Sequence, residues 1–282
     1  MLVSAAMLAL SGTEPVLTPF QALVLGAVQG LTELLPISSS AHLYLVPTVL
    51  GWPYAGVAFD VAMHAGTLLA LVVAFLDDWL QMARVAFHAD RTRRSEALGL
   101  FGMIVVATIP AVIAGKLLDE TADRLRSVPL QATTLLVFGI VLWAADRFTK
   151  SAREDRVPGW GTAIAVGLAQ CLALVPGVSR SGITMTAGRL RGLSRFASAR
   201  FSFLLSTPIT LAAVVYTLLR HGGDLLRDVP ATALVAGLVS SAIFSFLAIR
   251  LMLAMVRRIG FGVFAAYRVL LAVALFAWAA RS

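Results

Sequence analysis

Six uninterrupted apolar runs divide this chain, and each is close to the length that a helix needs to cross a lipid bilayer. That length is about 20 residues, because a helix rises about 1.5 Å per residue through a hydrocarbon core about 30 Å thick. Only 13% of the residues are charged, about half the share in soluble domains. A membrane β-barrel would instead show short alternating segments. The sequence therefore predicts an all-α polytopic membrane protein, with spans at roughly 57–76, 98–118, 130–146, 200–219, 231–253 and 262–280.

Two further apolar segments, at about 20–48 and 160–188, are interrupted. In the first, a helical run from Phe20 to Leu35 stops at Pro36, and a second run begins near Ser40. Neither half is long enough to cross a bilayer alone. Each segment is compatible with one kinked span or with a re-entrant hairpin of two short helices.

The order of one interrupted segment followed by three spans occurs twice, which indicates an internal repeat. A shift of 141 residues gives six identities within positions 22–41: Ala22/Ala163, Gly26/Gly167, Gln29/Gln170, Leu31/Leu172, Ser38/Ser179 and Ser40/Ser181. We expect a single membrane domain, 1–282, with repeat halves at 20–147 and 160–280. Because each half would contain three crossings, the halves are predicted to have inverted topology, an arrangement that usually places a polar site at the midplane.

Loop charges give an independent prediction of topology. No lysine or arginine precedes Arg84. Basic loops then contain Arg84, Arg91, Arg93 and Arg94; Arg147, Lys150, Arg153 and Arg156; Arg189, Arg191, Arg195 and Arg200; and Arg257 and Arg258. The loops at 119–129 and 220–230 are balanced, so basic and balanced loops alternate as six crossings require. The positive-inside rule places both termini and the first hairpin outside and the second hairpin inside. It also attributes the net charge of +8 to membrane anchoring rather than to nucleic-acid binding.

Charged residues at bilayer depth are costly and usually functional, and the first interrupted segment contains Glu33. Gln29 and Glu33 are i and i+4 on the helix before Pro36, so they share one face. Their oxygens suit a hard divalent cation, especially one whose shell is completed by a substrate phosphate. The alternative is that Glu33 only pairs with Arg180 to hold the hairpins together. Asp60, with His42 and His64 as titratable neighbours, completes the expected polar set.

Hydroxyl groups follow Pro36 at Ser38, Ser39 and Ser40. They are natural N-caps, and the helix N-terminus that they cap would present free N–H groups to an anion. One alternative is that all three serines only cap. Another is that one is a nucleophile, with His42 as base, acid or phosphate ligand. On the next span, Asp60 and His64 are again i and i+4, and they either support the site from behind or form a purely structural pair.

The second interruption, Pro176 to Gly182, has the composition of an anion cradle. Its glycines, Gly177 and Gly182, permit close approach of the backbone. Its hydroxyls, Ser179 and Ser181, can donate to phosphate oxygens, and the planar fork of Arg180 suits phosphate bidentately. The alternative is a simple turn from which Arg180 extends to the interface. The two interruptions together predict a site for an amphiphile with a phosphorylated head, without distinguishing cleavage from transport.

These two motifs, QGLTELLPISSSAH at 29–42 and PGVSRSG at 176–182, resemble the signatures of the bacterial undecaprenyl-diphosphate phosphatases, also called the bacitracin-resistance protein family. The resemblance covers nearly the whole chain, including the stretch from Phe59 to Gly66. It implies hydrolysis of undecaprenyl diphosphate, a divalent cation (Mg²⁺ or Ca²⁺), and a site on the periplasmic side of the bacterial inner (plasma) membrane. A homodimer is left open.

The resemblance also assigns roles to individual residues. Glu33 matches the second acid of a Glu/Gln-x-x-x-Glu motif, in which Gln29 occupies a position where many members have glutamate. Ser39 matches the proposed nucleophile, His42 the motif histidine and Arg180 the phosphate-binding arginine. Attack by Ser39 and direct attack by metal-bound water are equally compatible with these residues.

Two other classes of protein share some of these features. A transporter or flippase for a phosphorylated polyprenyl lipid would also show inverted repeats and broken helices. An anion channel could use the glycine-rich second motif as a cradle. The titratable residues Glu33 and His42 favour an enzyme over a channel, because a pore does not need them.

Overall fold

The computed structural model describes residues 17–88, 91–118, 125, 127–149 and 158–281, and every regular element within these ranges is helical. The first half contains α1 (Pro19–Leu34), α2 (Ser39–Leu50), α3 (Gly56–Ala74), α4 (Leu76–His88), α5 (Arg91–Leu118) and α6 (Val128–Phe148). The second half contains α7 (Trp160–Gln170), a 3₁₀ turn (Cys171–Leu174), α8 (Arg180–Leu190), α9 (Arg195–Asp228), α10 (Ala231–Met255) and α11 (Gly262–Ala279).

Six of these helices are long and apolar enough to cross a membrane: α3, the Ser95–Leu118 part of α5, α6, the Arg195–Gly223 part of α9, α10 and α11. They coincide with the six predicted spans, and the prediction of an all-α polytopic fold is confirmed. The segment 77–97, which the sequence places between the first two spans, is mostly helical, because α4 covers Leu76–His88 and α5 begins at Arg91. The N-terminal segment and most of the loops at 119–129 and 147–156, on which part of the topology prediction rests, lie outside the described residues.

The first interrupted segment forms two short helices joined at a tip. Thr18 caps α1 by accepting a hydrogen bond from the amide of Gln21 at 3.2 Å, and the Gln21 side chain accepts from the Thr18 amide at 2.9 Å. The helix ends because Leu35, which precedes Pro36, is extended (ψ 143°), as a residue before proline prefers. The second short helix of the segment, α2, ends at Gly51, whose φ of 65° is left-handed.

The second interrupted segment has the same local geometry at its tip. Ser38 and Ser179, which the predicted repeat places at equivalent positions, both have left-handed backbones, with φ of 76° and 72°. Each hydroxyl lies 3.2 Å from the hydroxyl two residues later, at Ser40 and Ser181. Non-glycine residues rarely adopt this conformation, so its occurrence at both tips is a specific likeness between the two halves.

Each hairpin packs against a helix from the other half of the chain. The first hairpin helix α1 packs on α10, and the second hairpin's α7 packs on α5. A Cβ atom on Gly26 would lie 2.2 Å from the carbonyl oxygen of Gly237, and one on Gly167 would lie 2.6 Å from Ala107. These close approaches require glycine. They bring the hairpins against the opposite half and their tips toward each other, while α6 packs on α11 beside the tips.

Candidate active site

The two hairpin tips are joined directly by hydrogen bonds. Ser40 Oγ accepts from the amide of Gly177 at 3.4 Å, and Ser181 Oγ donates to the carbonyl of Leu35 at 3.0 Å. The hydroxyl of Thr134 on α6 also donates to the carbonyl of Pro176 at 2.7 Å. The residues predicted on separate interruptions therefore belong to one buried site.

Glu33 lies at the centre of this site, with its side chain almost wholly buried. Arg180 Nη2 is 2.5 Å from Glu33 Oε1, and Ser39 Oγ donates to Glu33 Oε2. The same Oε2 atom is 3.2 Å from His64 Nε2 and 3.4 Å from Gln29 Nε2. The structure thus brings four of the predicted site residues, from both hairpins and α3, onto one carboxylate.

Arg180 is only partly satisfied by that ion pair. Its Nη1 atom is buried and has no hydrogen-bond partner among the described residues. The residue begins α8, and Ser179 caps that helix by accepting from the amide of Gly182 at 3.1 Å. An unused guanidinium donor beside a helix N-terminus is the arrangement that an anionic oxygen requires.

Both glycines of the second motif are needed for close packing. Gly177 has a φ of 89°, and a Cβ atom there would lie 2.0 Å from Thr134 Oγ1. A Cβ atom on Gly182 would lie 2.9 Å from Arg268 Nη1. At both glycines the backbone therefore does approach other atoms closely, and in this structure those atoms belong to the protein.

His42 makes two hydrogen bonds of 2.7 Å, and neither of them is to Glu33. Its Nδ1 atom bonds to the carbonyl of Ser38 and its Nε2 atom to the hydroxyl of Tyr267, whose ring stacks on the imidazole at 5.7 Å. A carbonyl can only accept, so Nδ1 carries a proton and Nε2 accepts from Tyr267 when the ring is neutral. The hydroxyl of Ser39 instead bonds to Glu33, so Glu33 rather than His42 is placed to take its proton.

His64 contacts the central carboxylate itself, whereas the sequence predicted at most a supporting position behind the site. It reaches Glu33 directly, and its Nδ1 atom bonds to the main-chain carbonyl of Asp60 at 2.7 Å. The carboxylate of Asp60 accepts from the hydroxyl of Tyr54 at 2.9 Å. Asp60 thus orients His64 through its backbone while its side chain binds the loop before α3.

Sequence reasoning missed two adjacent residues on α11, Tyr267 and Arg268. Arg268 is wholly buried and donates to Gly177 and Val178 at 3.0 Å and to Pro36 at 3.3 Å, all through carbonyls. The predicted set of charged residues at bilayer depth therefore lacked one member, Arg268. The available signal was that Arg268 is the single charge in the apolar run 262–279.

A divalent cation has a small but suitable set of donors here. No cluster of three His, Cys, Asp or Glu side chains occurs in the described parts of the chain. The amide oxygen Oε1 of Gln29, however, is buried without a hydrogen-bond partner in the described structure, one turn from Glu33. One carboxylate and one amide oxygen leave the remaining positions to substrate oxygens and water, as Mg²⁺ sites commonly do.

Comparison with known proteins places these observations in a family. The family model described as "Bacitracin resistance protein BacA" matches residues 22–274. A protein of Gemmatimonas aurantiaca named undecaprenyl-diphosphatase is 52% identical over 265 residues, covering 93% of this chain and 98% of that relative. Relatives with the same name from Desulforudis audaxviator and Pelotomaculum thermopropionicum are 45% and 43% identical, covering 90% and 94% of this chain and 95% and 98% of their own lengths.

Proposed function

This chain belongs to the bacitracin resistance protein BacA family, and from that premise we propose that it hydrolyses undecaprenyl diphosphate to undecaprenyl phosphate and inorganic phosphate. The reaction regenerates the lipid carrier of cell-wall synthesis. The observation that carries the proposal is the carboxylate of Glu33, which binds a serine hydroxyl from its own hairpin and an arginine from the other.

Ser39 is the nucleophile in this mechanism. Its hydroxyl already donates to Glu33, so the carboxylate can take the proton as Oγ attacks the terminal phosphorus. The bond from that phosphorus to the bridging oxygen breaks, and undecaprenyl phosphate leaves with the electron pair. Water then attacks the phosphoserine, Glu33 returns its proton to Ser39, and phosphate leaves with the protons of the water.

Arg180 stabilises the charge that develops on the transferred group. Its Nη1 donor is free for a phosphoryl oxygen while Nη2 remains on Glu33. The N–H groups at the start of α8 lie at the same tip, whereas the hydroxyl of Ser181, which was predicted to donate to phosphate, donates to the carbonyl of Leu35 instead. Fixed donors in a buried site act strongly because they need no reorganisation during the reaction.

Gln29 and Glu33 would hold the divalent cation, Mg²⁺ or Ca²⁺. When bound there, the ion would neutralise negative charge on the diphosphate oxygens. The buried, unpartnered Oε1 of Gln29 supports its assignment as a ligand.

The site is proposed to open toward the periplasmic side of the inner membrane, with both termini on that side. The support is the distribution of basic loops, which the positive-inside rule reads as cytoplasmic. In this orientation the first hairpin enters from the periplasm and carries Glu33, Ser39 and His42, so the diphosphate head is met from the outer leaflet.

Phosphate release from a C55 diphosphate by the purified protein in detergent tests the function. We expect turnover without any membrane gradient, which a transporter would not show, and loss of turnover in EDTA that added Mg²⁺ or Ca²⁺ reverses. Arg180→Ala should abolish release in a protein that remains folded. The matched control is Arg250→Ala, an exposed arginine on α10, which should retain activity. Near-wild-type turnover by Arg180→Ala would overturn the two-hairpin site.

A further inference from the structure

Arg268 uses its whole hydrogen-bonding capacity on backbone carbonyls. Its Nε donates to Leu135, its Nη1 to Pro36 and Val178, and its Nη2 to Thr134 and Gly177, at distances of 3.0 to 3.3 Å. A guanidinium has five N–H groups, so each one has an acceptor. The acceptors come from three places: the tip of the first hairpin, the tip of the second hairpin, and α6.

The three tip carbonyls, of Pro36, Gly177 and Val178, need a donor from elsewhere in the protein, because these residues lie between helices and lipid offers no donor. Arginine is the only side chain with five donors in a fixed plane. A single residue on α11 therefore satisfies both broken helices at once, and the tight contact of Gly182 with its Nη1 atom shows how closely the second hairpin is seated on it.

The same bonds fix the spacing between the two reacting groups. Pro36 comes three residues after Glu33, and Val178 comes two residues before Arg180. We propose that Arg268 is a positioning residue, which sets the distance between Glu33 and Arg180 by binding the carbonyls of both tips. The inference rests on the proposed function of this site, but it concerns how the site is assembled rather than which bond is broken.

Arg268→Lys is the first test, because lysine keeps the positive charge but offers three donors at most. We expect kcat for phosphate release to fall about 100-fold, the scale of a displacement of about 1 Å at a reacting group. KM should change much less, since the charge that attracts the diphosphate is retained. The matched control is Arg189→Lys, which among the described residues is the other wholly buried arginine and binds Leu193, Thr149 and Asp146 away from the tips.

A double-mutant cycle separates positioning from general destabilisation. If Arg268 acts through Arg180, then Arg268→Lys should have little further effect on kcat in an Arg180→Lys background. Arg189→Lys should multiply with Arg180→Lys as an independent change. Fully multiplicative effects of Arg268→Lys and Arg180→Lys would overturn the proposal.

Hydrogen exchange gives a readout that does not depend on activity, so a failure of the proposed function stays distinguishable. In Arg268→Lys, amide exchange should rise together at residues 34–39 and 175–182, while residues 200–219 remain as protected as in the wild type. If this variant does not fold, Gly182→Ala takes its place, because the added methyl group would press on Arg268 Nη1. It should give the same increase in exchange at both tips. Unchanged exchange at the tips, or an increase at one tip alone, would overturn the inference.

Discussion

Two histidines of the site show how neighbouring atoms assign different chemistry to the same side chain. Both rings use Nδ1 to bind a main-chain carbonyl four residues earlier. The Nε2 atom of His64 faces the carboxylate of Glu33, to which a doubly protonated ring can donate. The Nε2 atom of His42 faces a tyrosine hydroxyl that can donate to it. A ring that donates to Glu33 needs a proton on both nitrogens, whereas His42 can accept the hydrogen of the Tyr267 hydroxyl and then needs a proton on Nδ1 alone.

Ser39→Ala tests the nucleophile. We expect phosphate release to fall by about 1,000-fold or more, as replacements of catalytic nucleophiles do, and a phosphoserine to be trapped at this position in the wild type. Ser206→Ala is the matched control, because Ser206 is also buried but bonds to its own helix. Substantial turnover by Ser39→Ala would exclude the covalent route in favour of direct attack by water.

Tyr267→Phe tests the orientation of His42 at the cost of one oxygen atom. Loss of one hydrogen bond of about 1 kcal/mol should lower kcat about fivefold, with the protein folded as before. In a His42→Gln background the same change should have almost no effect, since the two residues act as a pair. Tyr216→Phe, beside Arg220 on α9, is the control. Independent effects of Tyr267→Phe and His42→Gln would show that the contact has no role in catalysis.

At the scale of elements, the breaks in the two hairpins were predictable and their backbone geometry was not. A proline among apolar residues ends a helix through local sterics, so Pro36 and Pro176 located both tips. The left-handed conformations of Ser38 and Ser179 were not predictable, because a non-glycine residue keeps such a backbone only when its surroundings in the folded protein enforce it. No local pattern in the sequence reports those surroundings.

Gly177→Ala tests how tightly the second tip is docked. The new methyl group would lie 2.0 Å from Thr134 Oγ1 on a backbone with a φ of 89°, so we expect destabilisation well above 1 kcal/mol. The thermal unfolding midpoint in detergent should fall. Gly222→Ala on α9 is the control, since nothing lies near its added Cβ atom and alanine is the better helix former. Equal midpoints for the two variants would contradict the close packing at the tip.

At the scale of the whole molecule, each hairpin packs against the other half of the chain, but the two halves contribute different functional residues. The shift of 141 residues pairs Glu33 with Leu174, His42 with Ile183 and His64 with Leu205. The acid and both histidines therefore belong to the first half alone, while the second contributes Arg180. The spans were predictable because length and hydropathy are local properties. Tyr267 and Arg268 were missed because their partners lie far away in sequence, 225 residues in the case of His42 and Tyr267.

The orientation can be measured at the two ends of α11. Arg258 precedes this helix, Arg281 follows it, and both are exposed. In a Cys171→Ser background, we expect a membrane-impermeant maleimide added outside the inner membrane to label Arg281→Cys. Arg258→Cys should be labelled only after the membrane is permeabilised. The reverse pattern would place the first hairpin and its carboxylate on the cytoplasmic side.

The hydrogen bonds that join the tips have a consequence for inhibition. Ser40 binds the second tip and Ser181 binds the first, so neither hairpin can shift without disturbing the other. A small compound that wedges between the tips would separate Glu33 from Arg180 without resembling a polyprenyl chain or a diphosphate. Because Arg180 also binds the diphosphate, such a compound would compete with the lipid, and raising the lipid concentration would restore activity.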